Sequence, residues 1–161
     1  RAAGLPRCGP RRARAIISAA RCTGARGARG LPLNAFIVED NPAIRQSLSE
    51  ALAELAGIAS RGHAGRVRGA IDWLTDPAND WDLAVVDLLL EDGGNGLDVL
   101  RAVRSRRPGR KVLVLTATAN RHVRELCLQL GCDGVFDKSM QTEALLEWCA
   151  ALAADRLPPL P

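Results

Sequence analysis

Residues 82–107, DLAVVDLLLEDGGNGLDVLRAVRSRR, decide how the chain folds. DLAVVD (82–87) reads as a strand whose inner residues are all apolar. A strand without polar alternation is one buried on both faces. The glycine-rich loop that follows leads into LDVLRAVRSRR (97–107), a helix closed by Pro108-Gly109. Strand, loop and helix in that order make a βα unit. Asp87 stands at the junction, after Val85-Val86 and before Leu88, Leu89 and Leu90, where a charge is costly unless something meets it.

The alternation extends in both directions. Upstream, NAFIVE (34–39) is a strand and PAIRQSLSEALAELAG (42–57) a helix. That helix has Ile44, Leu48, Leu52 and Leu55 at helical spacing, Pro42 in its first turn and Gly57 at its stop. IASRGHA (58–64) makes a weak strand and VRGAIDWLTD (67–76) a helix. Downstream, KVLVLT (111–116), NRHVRELCLQLG (120–131), GVFD (134–137) and TEALLEWCAALAADR (142–156) read as strand, helix, strand and helix. Five strands alternating with five helices predict an α/β fold with a parallel sheet covered on both faces. Half of a dinucleotide-binding fold is the competing architecture. It wants G-x-G-x-x-G after the first strand, where this chain has Glu39-Asp40-Asn41-Pro42.

Composition narrows the classes. With 161 residues, 47% of them apolar and 25% charged, the chain has the proportions of one soluble globular domain. No apolar run approaches the roughly 20 residues that span a bilayer, which argues against a membrane protein. The five cysteines, Cys8, Cys22, Cys127, Cys132 and Cys149, form no C-x-x-C pair and are odd in number, so they read as free thiols in a reducing cytoplasm. The net charge of +4 is unevenly spread. Residues 1–32 hold eight arginines and no acid; removing those eight from the 22 basic residues leaves 14 against 18 acidic ones, a body of net −4. Residues 1–32 are expected to be a disordered Arg-rich extension, 33–156 the domain, and LPPLP (157–161) a Pro-rich tail with no output domain after it. A basic arm for nucleic acid and a transit-type presequence compete for the extension; a non-functional extension is preferred.

Open α/β sheets carry their sites at the carboxyl ends of strands. There the first strand ends in Glu39-Asp40, the third in Asp87, the fourth in Thr116, and Lys138 follows the fifth. In a sheet ordered 2-1-3-4-5 the first and third strands are neighbours, about 4.8 Å apart. Asp40 and Asp87 would then repel unless a cation sits between them. Hard oxygen ligands in an open cleft suit Mg²⁺. Thr116 and Lys138 approach as donors to an anion, an arrangement that stabilises a transferring phosphoryl group with Asp87 as its acceptor. Any one of these residues alone reads as a turn or cap residue; the four in this order carry the inference.

FIVEDN, VVDLLLED, LTATA and GVFDKS together resemble the receiver domain of bacterial two-component response regulators over about residues 33–155. The resemblance, not the periodicity, implies a flavodoxin-like doubly wound (βα)5 sheet of order 2-1-3-4-5. It implies Mg²⁺ held by Asp40, Asp87 and the backbone carbonyl of Leu89, with Glu39 acting through water. It also implies that Thr116 and Lys138 contact the phosphoryl group, and that a histidine kinase or histidine phosphotransfer protein is the donor. Phosphorylation would draw Thr116 inward and shift the face built from the fourth helix, fifth strand and fifth helix. Such a protein is a phosphoacceptor rather than an enzyme; its downstream partner, and whether it forms a homodimer, stay open.

Four positions depart from the usual pattern. Val135 stands where most receivers have an aromatic, with Phe136 beside it; Ser139 replaces a common proline; EDGGNGLD is one residue long and lacks its proline. Leu89 replaces a polar residue that helps position hydrolytic water, which predicts a long-lived phosphoryl group. His63 and His122 read as surface residues, Trp73, Trp81 and Trp148 as packing, Cys127 and Cys149 as core fillers, Cys132 as a turn residue, and GGNG (93–96) as a plain loop. The rival functions are a pseudo-receiver that docks partners without phosphorylation, an aspartyl phosphatase of the dehalogenase type, and nucleic-acid binding by the arginine tail. The phosphatase wants a second Asp where Leu89 stands, and nucleic acid is a disfavoured partner.

Overall fold

The computed structural model describes residues 32–90 and 93–156. The expectations for residues 1–31, including Cys8 and Cys22, and for residues 157–161 lie outside these. The strands are β1 (Asn34–Val38), β2 (Ala59–Ala64), β3 (Leu83–Val86), β4 (Lys111–Thr116) and β5 (Gly134–Asp137). The helices are α1 (Pro42–Ala56), α2 (Val67–Thr75), α3 (Gly96–Ala102), α4 (Arg121–Gln129) and α5 (Thr142–Arg156). All strand pairs are parallel, in the order β2-β1-β3-β4-β5. This is the flavodoxin-like arrangement, and it sets β1 beside β3.

Successive strand residues point to opposite faces, so each apolar run feeds two cores. Phe36, Val38, Ala84, Val86, Val112 and Val114 pack on Ala70, Leu74, Val99, Leu100 and Cys127 from α2, α3 and α4. Ala35, Ile37, Leu83, Val85, Leu113 and Leu115 pack on Leu48, Leu52, Leu145 and Cys149 from α1 and α5. Each fully buried aliphatic side chain contributes about 1.5–3 kcal/mol, and the central strand β3 buries every residue it has. The tryptophans serve these layers: Trp73 stacks on Phe36 with ring centroids 4.1 Å apart, and Trp81 donates to the Leu74 carbonyl at 3.0 Å. Trp148 packs against the α1–α5 core.

Two helices depart from expectation. The face of α1 is narrower than its spacing suggests: Leu48 and Leu52 are buried, but Ile44 is 38% and Leu55 64% exposed. Ile44 lies in the first turn of the helix and Leu55 in the last. The helix expected over 97–107 ends at Ala102. Pro108 disfavours helical geometry in the residue before it. The intervening chain instead turns, Arg106 Nε donating to the Arg110 carbonyl at 2.9 Å. Gly57, at φ 63°, ends α1 in the left-handed conformation that favours glycine.

Candidate functional site

Parallel strands bring their carboxyl ends to one edge, and chemistry gathers there. The backbone of Glu39 continues β1, donating to the Ala64 carbonyl at 3.0 Å; Asp87 continues β3, donating to the Val38 carbonyl at 2.9 Å. The carboxylates of Glu39, Asp40 and Asp87 each offer an oxygen within 4.8 Å of the others. Glu39 and Asp87 are buried and Asp40 half-buried. Lys138, just past β5, puts Nζ 2.6 Å from Asp87 Oδ2 and 2.6 Å from Glu39 Oε2. Asp87 Oδ1 accepts the Leu89 N–H at 3.2 Å, so both oxygens of the acceptor are held.

Electrostatics follow from burial. Burial raises the Glu39 pKa, and the Lys138 ammonium offsets that only in part. Burial works against the charge on Lys138, but the hydrogen bonds and charges of Asp87 and Glu39 outweigh it, so its pKa is raised. The ammonium therefore stays charged between the two acids.

Thr116 is fully buried at the end of β4, but the partners of its hydroxyl are Thr118 Oγ1 at 3.4 Å and the Thr118 N–H at 3.5 Å. Glu39, expected as a ligand through water, accepts from Lys138 Nζ at its Oε2 and from the Asn41 N–H at its Oε1. Leu89 forms an antiparallel bridge with Asn95, and its side chain is 59% exposed. Val135 is buried among the α2–α4 layer, while Phe136 packs on the opposite face with α5.

Supporting residues went unread. Asn41 caps α1, accepting the Ala43 and Ile44 N–H groups at 2.9 and 3.3 Å, and its own N–H donates to Glu39 Oε1 at 3.1 Å. Asn before Pro and an apolar run is a readable cap signal. Gly96 touches the acceptor's backbone: a Cβ there would lie 2.1 Å from the Asp87 carbonyl oxygen. Arg124 and Gln141 brace the loops around Lys138, and no spacing announces them.

The fold and the strand-edge acids define a class. The response regulator receiver domain family matches residues 35–150, and the chain belongs to it. Members are phosphoacceptors of two-component systems, phosphorylated on aspartate, rather than enzymes. Among curated relatives, the acid tolerance regulatory protein ActR of Rhizobium meliloti is 30% identical over 124 residues, 77% of this chain and 61% of that one. The DNA-binding transcriptional activator DevR/DosR of Mycobacterium tuberculosis is 35% identical over 82 residues, 51% of this chain and 36% of that one. The chain thus spans between 36% and 61% of the length of these relatives. A LuxR-family response regulator from Aurantimonas superposes with a TM-score of 0.67 at 21% identity, covering 79% of this chain and 89% of that one. The isolated receiver domain of RcsB from Salmonella enterica serovar Typhimurium gives 0.66 at 21%, covering 80% and 95%.

The donor set fits Mg²⁺: three hard carboxylates from two adjacent strands, close enough to share one ion, with a cationic lysine as the group that now offsets their charge. Among the described residues no helix is long and apolar enough to cross a membrane.

Proposed function

We propose that residues 33–156 accept a phosphoryl group on Asp87 from the phosphohistidine of a histidine kinase or histidine phosphotransfer protein, in an Mg²⁺-dependent reaction in the cytoplasm, and signal by protein contact. The observation that carries this is Lys138 Nζ at 2.6 Å from Asp87 Oδ2, at the mouth of a three-carboxylate cluster. Asp40, Asp87, the Leu89 carbonyl and, through water, Glu39 would hold the ion, which supplies positive charge opposite the incoming phosphoryl oxygens. An Asp87 oxygen attacks phosphorus, the nitrogen–phosphorus bond breaks, and the imidazole leaves with the electron pair and takes a proton from solvent. Lys138 moves its hydrogen bond from the carboxylate to a phosphoryl oxygen, and the Thr116 hydroxyl donates to another.

The DNA binding for which DevR/DosR is named belongs to a whole protein of which this chain spans 36%; the acid-lined site itself does not suit nucleic acid. A second reading, a docking module that is never phosphorylated, draws on Val135 and Ser139 and on an ammonium already neutralising the pocket. Incubation with acetyl phosphate and Mg²⁺, followed by intact-mass measurement, separates the two. A gain of one phosphoryl group, absent in Asp87→Asn and in chelator, supports acceptance. No gain in the unsubstituted chain supports the docking module.

A further inference from the structure

We propose that Arg124 is a positioning residue that ties Lys138 to the surface of α4, so that α4 registers whether Asp87 carries a phosphoryl group. The inference rests on phosphoryl acceptance at Asp87.

Phosphorylation turns the Asp87 carboxylate into a mixed anhydride and places about two negative charges one bond further out. Lys138 Nζ spends two of its three donors on Asp87 Oδ2 and Glu39 Oε2, each at 2.6 Å, and phosphorylation changes the first of these acceptors, so the ammonium re-aims toward the phosphoryl oxygens. Its backbone is tied at both ends: its N–H donates to the Thr116 carbonyl at 3.0 Å, and its carbonyl accepts from Thr142 Oγ1 at 2.9 Å. A shift of Lys138 is therefore passed to residues 138–142.

Gln141 closes that loop. Its N–H donates to the Asp137 carbonyl at 2.8 Å, and its Oε1 accepts the Asp137 N–H at 3.1 Å. The same Oε1 accepts Arg124 Nη2 at 2.6 Å. Arg124 also donates from Nε to the Ala119 carbonyl at 2.8 Å and from Nη1 to the Val135 carbonyl. One rigid guanidinium fork thus joins the entry to α4, the strand beside Lys138 and the loop that bears Lys138. None of its three acceptors is a carboxylate, so the clamp can re-form around a moved loop without breaking an ion pair. The Val135 side chain is buried and apolar and offers no polar route to the surface. On α4 the exposed residues Arg121, His122 and Leu128 lie where a change would be read.

The test uses the full chain, ¹⁵N-labelled, with beryllofluoride and Mg²⁺ as the phosphoryl mimic. In the unsubstituted protein the ¹⁹F resonance of the bound mimic and shifted amides across residues 121–129 are expected together. In Arg124→Met the ¹⁹F resonance remains while the α4 shifts on loading fall severalfold. Gln141→Met gives the same loss, and the double variant loses no more than either, because the two act through one link. Amides of β1 and α1 report that each variant is folded; if Arg124→Met is not, Gln141→Met decides. Full α4 shifts in a loaded Gln141→Met overturn the proposal alone. Failure of the unsubstituted chain to bind the mimic overturns it together with phosphoryl acceptance.

Discussion

Leu89 sits two residues past the acceptor with a side chain 59% exposed and no polar atom to orient a water toward a phosphoryl group on Asp87. The phosphorylated chain is therefore expected to decay slowly, and Leu89→Asn to decay faster, as measured by intact mass over time after donor removal. Decay within seconds in the unsubstituted protein would refute this. The core thiols make a second residue-scale prediction. Burial pushes Cys132 and Cys149 each from the ordinary 9.0 up to about 12. Above 9.0 the unfolded thiols ionise while the native ones hold their protons, so the native state binds more protons and stability falls as pH rises from 9.0 toward about 12. Below 9.0 these groups contribute no pH dependence. Urea midpoints taken on either side of that value check it, and Cys132→Ala/Cys149→Ala should flatten the decline. Cys149 was legible as a core filler from its place on an apolar helical face; Cys132 reads as a turn residue, and the structure buries it as well. Residues defined by what touches them, such as Arg124, were not legible, because a guanidinium reaching three carbonyls leaves no periodic trace.

At the scale of elements, β4, β5 and α5 have the bounds their residues announce. The third helix stops at Ala102, short of the charge-rich RSRR, whose composition continues a helical pattern while its chain turns toward Arg110. Loops carry the local constraints that matter for the site. A Cβ on Gly96 would meet the Asp87 carbonyl oxygen at 2.1 Å and Leu88 Cα at 2.8 Å, both backbone. Gly96→Ala is therefore expected to move the acceptor strand end and to cost about 1–3 kcal/mol, in line with overpacking. Urea unfolding measures the loss, and phosphoryl acceptance should fall further than stability alone dictates. Asn41→Ala removes the side-chain cap that accepts the Ala43 and Ile44 N–H groups and should cost about 1 kcal/mol. It leaves the backbone N–H on Glu39 in place, so acceptance persists.

Across the whole molecule, the strand-edge acids were legible because parallel order alone forces Glu39, Asp40 and Asp87 to one edge. What was not legible is that Lys138 spans Glu39 and Asp87 together, since that depends on how far its loop reaches across the sheet from β5 to β1. This bridge decides how the fold responds to a cation. With Lys138→Met, Glu39 and Asp87, whose side chains are 4% and 7% exposed, lose their ammonium while Asp40 stays close. Removing one partner of a fully buried pair costs about 3–5 kcal/mol. Here Lys138 is itself 18% exposed, so water reaches the site and a smaller loss is expected. In chelator the variant should melt below the unsubstituted chain. Mg²⁺ should then raise its melting temperature more than that of the unsubstituted chain, because the ion binds the folded acids and no lysine competes. Calorimetry of both proteins with and without Mg²⁺ tests this. Equal melting in chelator, with no response to the ion in either, would show that the three carboxylates do not act as one charged site.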